Sequence, residues 1–285
     1  MQVTLRTGKP DDAEAAGAIC YEAFKAIAER HGFPPDLPSR EVGVLVLSSL
    51  LANPAHHVVV AERDGRVVGS NAVDERGPIA GIGPITVDPA VQDGGLGRRL
   101  MQHVIERSEQ RGAAGIRLVQ AAYHNRSMSL YTKLGFDARE PLSVLQGPRL
   151  TTALPGREVA VAGKADLAEC NRLCRSVHGH DRAGELRDSI AQGIARVVRR
   201  AGRITGYATS IAFFSHAVAE TNDDLAALIA AAPQFPGPGF LLPTRNAELL
   251  RWCLGRGLRI VQPMTLMTIG LYNEPRGAWL PSIIY

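Results

Sequence analysis

The sequence predicts an α+β fold built as two tandem domains, each a mixed, mostly antiparallel sheet flanked by helices. Three observations carry that reading. The chain has 285 residues, near twice the roughly 150 that one domain usually takes. In the first half antiparallel hairpin signals come first and a strand–helix–strand crossover follows. Finally, three segments of the first half return in the same order in the second. Gly8-Lys9-Pro10-Asp11, leading an apolar-periodic stretch, is echoed by Gly163-Lys164-Ala165-Asp166. The β-branched run from Val58 to Gly69, turning at Gly65, is echoed from Arg196 to Gly206, turning at Gly202. Asn125 with Leu134-Gly135-Phe136 is echoed by Asn246 with Arg256-Gly257-Leu258. The spacing between matches shrinks along the chain, so the second copy reads as a trimmed duplicate. Breaks at Gln146-Gly147-Pro148 and Leu154-Pro155-Gly156 set the boundary, giving domains 1–148 and 149–285.

In chain order, Val3 to Arg6 reads as a strand, and Asp11 to Glu29 carries a helical period with acids in its first turn. Gly32 to Pro38 breaks that helix, and Arg40 to Leu51 begins another. Val58 to Glu62 and Arg66 to Val73 form a hairpin around a Gly turn, and Gly83 to Val87 starts a further strand. Leu96 to Arg111 is helical, Ile116 to Ala121 extended, Ser127 to Lys133 helical, and Pro141 to Leu145 a closing strand.

Composition narrows the functional classes. At 45% hydrophobic and 21% charged the chain is an ordinary globular protein, and its longest apolar stretches fall short of the roughly 18 residues that span a bilayer. The N-terminus lacks a signal-peptide pattern, which places the chain in the cytoplasm with its four cysteines reduced. Up to residue 150 there are 17 basic and 17 acidic residues, and beyond it 15 against 11. The densest basic run, Arg196, Arg199, Arg200 and Arg203, has no interleaved aromatics and reads as a solvated face, which argues against nucleic acid. Cys170, Cys174 and His178 share a helical face, but their repeat partners include Ile19 and Ala23, so we expect packed thiols and no metal.

The most informative segment runs from Ile85 through Asp88-Pro89 to Gln92-Asp93-Gly94-Gly95-Leu96-Gly97-Arg98-Arg99. A strand, a glycine-rich turn and a helix start leave amides and the positive helix end open to an anion, and small residues let a ligand approach the backbone. A diphosphate fits. There is no Gly-Lys-Ser/Thr ending and no G-x-G-x-x-G opening, which removes the P-loop and dinucleotide-fold readings.

Gln92, Gly95 and Gly97 instead resemble the Q/R-x-x-G-x-G/A signature of the GNAT N-acetyltransferase superfamily. Asn125 and Ser129-Leu130-Tyr131-Thr132-Lys133-Leu134-Gly135-Phe136 resemble its later motif. The resemblance covers residues 3–145 and implies acetyl-CoA as co-substrate, bound where two strands splay apart. By the same resemblance, backbone groups of Ile85, Thr86 and Val87 pair with the pantetheine arm. Amides of Gln92, Asp93, Gly94, Gly95, Leu96, Gly97 and Arg98 hold the pyrophosphate, and Asn125 contacts the cofactor further along. Tyr131 matches the tyrosine that protonates the leaving thiolate. The alternatives are an Asn125 that only caps its helix and a Tyr131 that is a core aromatic.

The implied reaction is direct transfer of an acetyl group to an amine, on a small molecule or on a protein N-terminus or lysine, by a monomer or homodimer. A general base is not evident. The strand before the loop carries no Glu, and Asp74, Glu75, His124, His216 and Glu220 are the candidates. The missing base leaves a non-catalytic acyl-CoA sensor as the alternative. In the second half the loop's counterpart is Glu220-Thr221-Asn222-Asp223-Asp224, without glycine. Its acids satisfy their own helix, so that half is expected not to bind CoA in this way but to shape the acceptor pocket or replace a partner subunit. The tail from Tyr272 to Pro281 is expected to pack across both halves or to cover a sheet edge.

Overall fold

The computed structural model describes residues 3–92 and 94–285. The first half runs β1 (Thr4–Thr7), α1 (Ala13–Arg30), α2 (Arg40–Ala52), β2 (His56–Arg63), β3 (Arg66–Asp74), β4 (Ile79–Ile82) and β5 (Thr86–Val87). It continues with α3 (Leu96–Gln110), β6 (Gly115–Ala121), α4 (Asn125–Lys133) and β7 (Asp137–Gln146). The second half opens with β8 (Glu158–Val161), α5 (Leu167–His178), α6 (Ala183–Ala191), β9 (Arg196–Arg200), β10 (Arg203–Ala208) and β11 (Ala217–Ala219). It ends with α7 (Asn222–Ala231), β12 (Phe240–Pro243), α8 (Ala247–Leu254), β13 (Arg259–Gly270) and β14 (Ala278–Leu280). No helix is long and apolar enough to cross a membrane among the described residues.

The three echoes are the same local structures. Asp12 and Asp166 each accept a backbone N–H three residues upstream, from Lys9 and Gly163, closing equivalent turns before α1 and α5. The hairpins β2–β3 and β9–β10 both turn on two consecutive left-handed residues, Asp64-Gly65 and Ala201-Gly202. That is the primed turn whose twist matches an antiparallel pair. Helices α4 and α8 both stop before a left-handed glycine, Gly135 or Gly257.

One element differs from the sequence expectation. The strand expected from Gly83 is two short ones, because the ladder of β4 ends at Ile82, Gly83 takes a φ of 141°, and the chain then rejoins β3 through Thr86 and Val87.

The strands do not sort by the expected boundary at residue 148. One sheet has the order β1-β2-β3-β4-β6-β13-β7-β12, with β5 also on β3, and the other has the order β14-β11-β10-β9-β8. Strand β13 of the second half lies between β6 and β7 of the first, antiparallel to both, and β12 pairs with the far side of β7. If β6 and β12 are the matching strands before α4 and α8, and β7 and β13 those after, each half has placed its last strand beside the other's penultimate one. The tail meets both of its expectations: β14 covers the edge strand β11, while Tyr272 lies over Arg117 of the first half.

Helix α3 is amphipathic. Its Leu100, Met101 and Val104 are fully buried against Val59, Val68 and Leu118 of the first sheet, each worth about 1.5–3 kcal/mol relative to exposure. This packing fixes the N-terminal end of α3 at the sheet edge where the site forms.

Candidate active site

The site begins where hydrogen bonding between two parallel strands stops. Strands β4 and β6 pair through Ile79↔Gly115, Ala80↔Ile116 and Gly81↔Arg117 and no further. Beyond that point β5 turns to β3, while β6 continues on β13. A cleft of about 700 Å³ opens between them. Ile85, Thr86 and Val87 line one wall, Leu118 to Ala121 the other.

The N-terminal end of α3 faces the same cleft through Gly95, Leu96, Gly97 and Arg98. Gly95, the N-cap, has φ 75° and ψ 5°, and no side chain caps this helix. The first intrahelical bond at this end is Arg99 N–H to the Gly95 carbonyl, so the preceding amides have no helical acceptor. Gln92 lines the cleft and turns its amide back to the Val87 carbonyl at 3.2 Å. Gly94 lies next to the cleft without lining it, and Asp93 lies outside the described residues. Arg99 reaches the Val3 carbonyl instead, leaving Arg98 as the cleft-lining cation of that pair.

Helix α4 brings the later residues to the opposite side. Tyr131 lines the cleft and is buried, edge-on to Phe136, and burial pushes its phenol up to about 12. Asn125 lines the cleft as the first residue of α4 and is exposed. The N-cap position belongs to His124 and no side chain bonds the helix start, so Asn125 is not a cap.

Of the candidate bases, only His124 lines the cleft. Asp74 is paired with Arg76, Glu75 with Arg107 and Arg111, and Glu220 with Arg200 and Arg203. His216 is buried between Glu185 and Tyr207. Burial, with Arg126 and Arg30 nearby, depresses His124 to about 4.

Sequence reasoning missed Asp36, from the loop between α1 and α2, and Phe213, Phe214, Met264 and Ile284 from the second half, all of which line the cleft. A lone acid in Pro34-Pro35-Asp36-Leu37-Pro38 gives no periodic signal, and the others depend on strand exchange. In the second half, α7 starts differently from α3. The Thr221 hydroxyl caps it by accepting the Asp224 N–H, and Arg157 pairs with both Asp223 and Asp224.

Residues 21–136 match the Acetyltransferase (GNAT) family. An IAA acetyltransferase of Azospirillum brasilense is 31% identical over 117 residues, spanning 40% of this chain and 76% of that protein. A Pyrococcus horikoshii structure assigned as an acetyltransferase superposes with a TM-score of 0.76 at 20% identity, over 97% of this chain and 94% of its own. A tandem GNAT protein from the clavulanic acid biosynthesis pathway superposes with a TM-score of 0.57 at 14% identity, over 99% of this chain and 100% of its own. Both likenesses extend the shared architecture through the second half. With its splayed strands, open helix start and 31% identical acetyltransferase relative, the chain belongs to the GNAT acetyltransferase family, in a tandem arrangement.

Proposed function

We propose that this protein transfers an acetyl group from acetyl-CoA directly to an amine. The observation that carries the reading is the convergence on one cleft of an uncapped helix N-terminus and a buried tyrosine from α4. The residues fit the co-substrate. A Cβ at Gly95 would meet nothing within 4 Å, so the approach to the open amides is clear, and these with Arg98 would hold the diphosphate. Backbone groups of Ile85, Thr86 and Val87 would hold the pantetheine arm, and Asn125 would contact it further along. Acetyl-CoA supplies an activated acyl thioester when bound. Binding in a fixed pose supplies orientation, and Tyr131, protonated well past neutral pH, holds the proton that a departing sulfur needs. The second half, whose equivalent helix start is closed by its own side chains, forms part of the acceptor wall and does not bind CoA in the same way.

Calorimetry with CoA, followed by thiol release from acetyl-CoA over an amine panel, tests this. Binding and turnover are expected. CoA binding without turnover of any amine would leave a sensor, and absence of binding would remove the site assignment.

A further inference from the structure

We propose that Asp36 is the general base of this reaction and that the acceptor is a primary amine carried on an apolar body. The inference rests on the acetyl-transfer reading. Asp36 projects from the loop between α1 and α2 into the cleft wall. Its Oδ1 accepts a hydrogen bond from Gln262 Nε2 at 2.5 Å. Gln262 is 1% exposed and stands on β13 where the register with β7 shifts between Ile260 and Gln262, a bulge of the kind that re-aims a side chain. The Gln262 Oε1 accepts from Tyr123 at 3.4 Å, and the Tyr123 ring stacks on Phe33 with centroids 4.2 Å apart. This chain of contacts fixes which end of the amide faces Asp36.

Oδ2 makes no hydrogen bond, and Asp36 no ion pair, among the described residues. Other acids near the first sheet, such as Asp74, Glu75 and Glu140, have an arginine. A carboxylate drawn into a protein wall needs a cation, and a substrate ammonium would supply one to Asp36. The same cleft is lined by Phe24 and Ile27 from α1 and by Phe213, Phe214, Met264 and Ile284 from the second half, alongside Arg30 and Arg126. Phe214 is 42% exposed, a large apolar surface that an aromatic or aliphatic acceptor would cover.

His124 is the weaker candidate. Its Nδ1 is engaged with the Ser127 hydroxyl at 2.8 Å, and burial disfavours the protonated ring it would become as a base. At Asp36, burial raises the carboxyl above its ordinary range, against the opposing hydrogen bond from Gln262. That moves the base toward working pH.

Two protons leave the nitrogen. The first passes from the ammonium to Asp36 and frees the lone pair. As the carbon–nitrogen bond replaces the carbon–sulfur bond, Tyr131 gives its proton to the sulfur, and the second nitrogen proton restores the phenol through solvent.

The test compares 2-phenylethylamine with its 2,2-difluoro analogue, a far weaker base that is largely neutral before binding, and with spermidine. Wild type should turn over 2-phenylethylamine at least about tenfold better than spermidine in kcat/KM, a margin within reach of an apolar pocket. Asp36→Asn should lose about 100-fold on 2-phenylethylamine but less than about tenfold on the difluoro analogue, with CoA affinity held within about twofold by calorimetry. Asp36→Glu should recover at least about tenfold over Asp36→Asn, because a carboxylate is restored. Equal losses on both amines, or unchanged turnover in Asp36→Asn, would overturn the base assignment while leaving acetyl transfer intact. A preference for spermidine would overturn the acceptor class. CoA binding with no turnover of any amine would overturn acetyl transfer and this inference together.

Discussion

Replacing Gly95 by Asp and by Asn separates the electrostatics of the loop from its conformation. Both side chains are nearly isosteric, and at this position a Cβ enters open space, so neither clashes. The backbone there has φ 75°, where a residue with a Cβ loses about 1–2 kcal/mol, least for Asn and Asp. For a chain of this size that lowers the melting temperature by about 2–4 °C per kcal/mol. The two variants should then diverge. An aspartate at the positive end of α3 regains about 0.3–1 kcal/mol, so Gly95→Asp should melt above Gly95→Asn.

For CoA the order inverts. A carboxylate about 6 Å from one phosphate charge is repelled by about 0.7 kcal/mol in water and about 2.8 kcal/mol at an effective dielectric of about 20. Two phosphate charges double that to about 1.4–5.5 kcal/mol, or about tenfold to 10⁴-fold weaker binding of CoA by Asp than by Asn. Calorimetry at physiological salt measures it, with pantetheine, which lacks the diphosphate, as the control. At about 1 M salt, where the Debye length is about 3 Å, the gap should narrow. Equal CoA affinities for the two variants, or an equal gap for pantetheine, would refute the placement of the diphosphate at this helix start.

Tyr131→Phe should lower kcat by about 10²-fold with CoA affinity unchanged, as expected for a group acting only on the departing sulfur; a change in CoA affinity with kcat intact would assign it to binding instead. Because its phenol is raised to about 12, Tyr131 contributes stability that is complete below its unfolded value near 10 and is lost above it, so it should produce no acidic limb in the pH–rate profile. His216 is held at about 4 by burial and by Arg182, against Glu185. Its depressed value gives stability that is complete above about pH 6.5 and lost as pH falls through about 4. The melting temperature should therefore drop across that window, less steeply in His216→Gln, and a flat curve in wild type would count against the buried neutral imidazole. Gly81→Ala should destabilise the fold, since its Cβ would collide with the Ile284 carbonyl; an unchanged melting temperature would show that the tail yields freely.

Part of this molecule is legible in the sequence because some residues are dictated by backbone conformation alone. Gly95 stands in a left-handed position at a helix start, and Gly65 and Gly202 occupy identical turn positions in the two hairpins. Such residues announce their local structure wherever they occur. The β-branched run of β2 and the amphipathic period of α3 are likewise local. What was not legible depends on partners. Nothing in the period of β13 says that it lies between β6 and β7, since a strand's pattern encodes which face is buried but not its neighbour. Asp36 reads as a loop acid until Gln262 is placed against it, 226 residues later in the chain. The aspartates of α7 are legible as first-turn acids of their own helix, but their pairing with the distant Arg157 is not.

The strand order β6-β13-β7-β12 has a consequence for how the halves work. Strands β7 and β13 pair with one another along most of their length, and each is also the outward neighbour of a strand from the opposite half. Neither half closes its own sheet. A fragment ending at residue 148 would expose the edge of β6 from Gly115 to Ala121, now covered by β13, and unpaired edges of that kind favour association over a stable monomer. It would also lose Gln262 and Met264, and with them the groups that hold Asp36 and wall the acceptor side of the cleft. The second half thus acts on the site through the sheet itself. Through this interleaving of strands, the two halves place a second-half glutamine beside a first-half carboxylate, a contact that simple end-to-end fusion of two closed domains would not create.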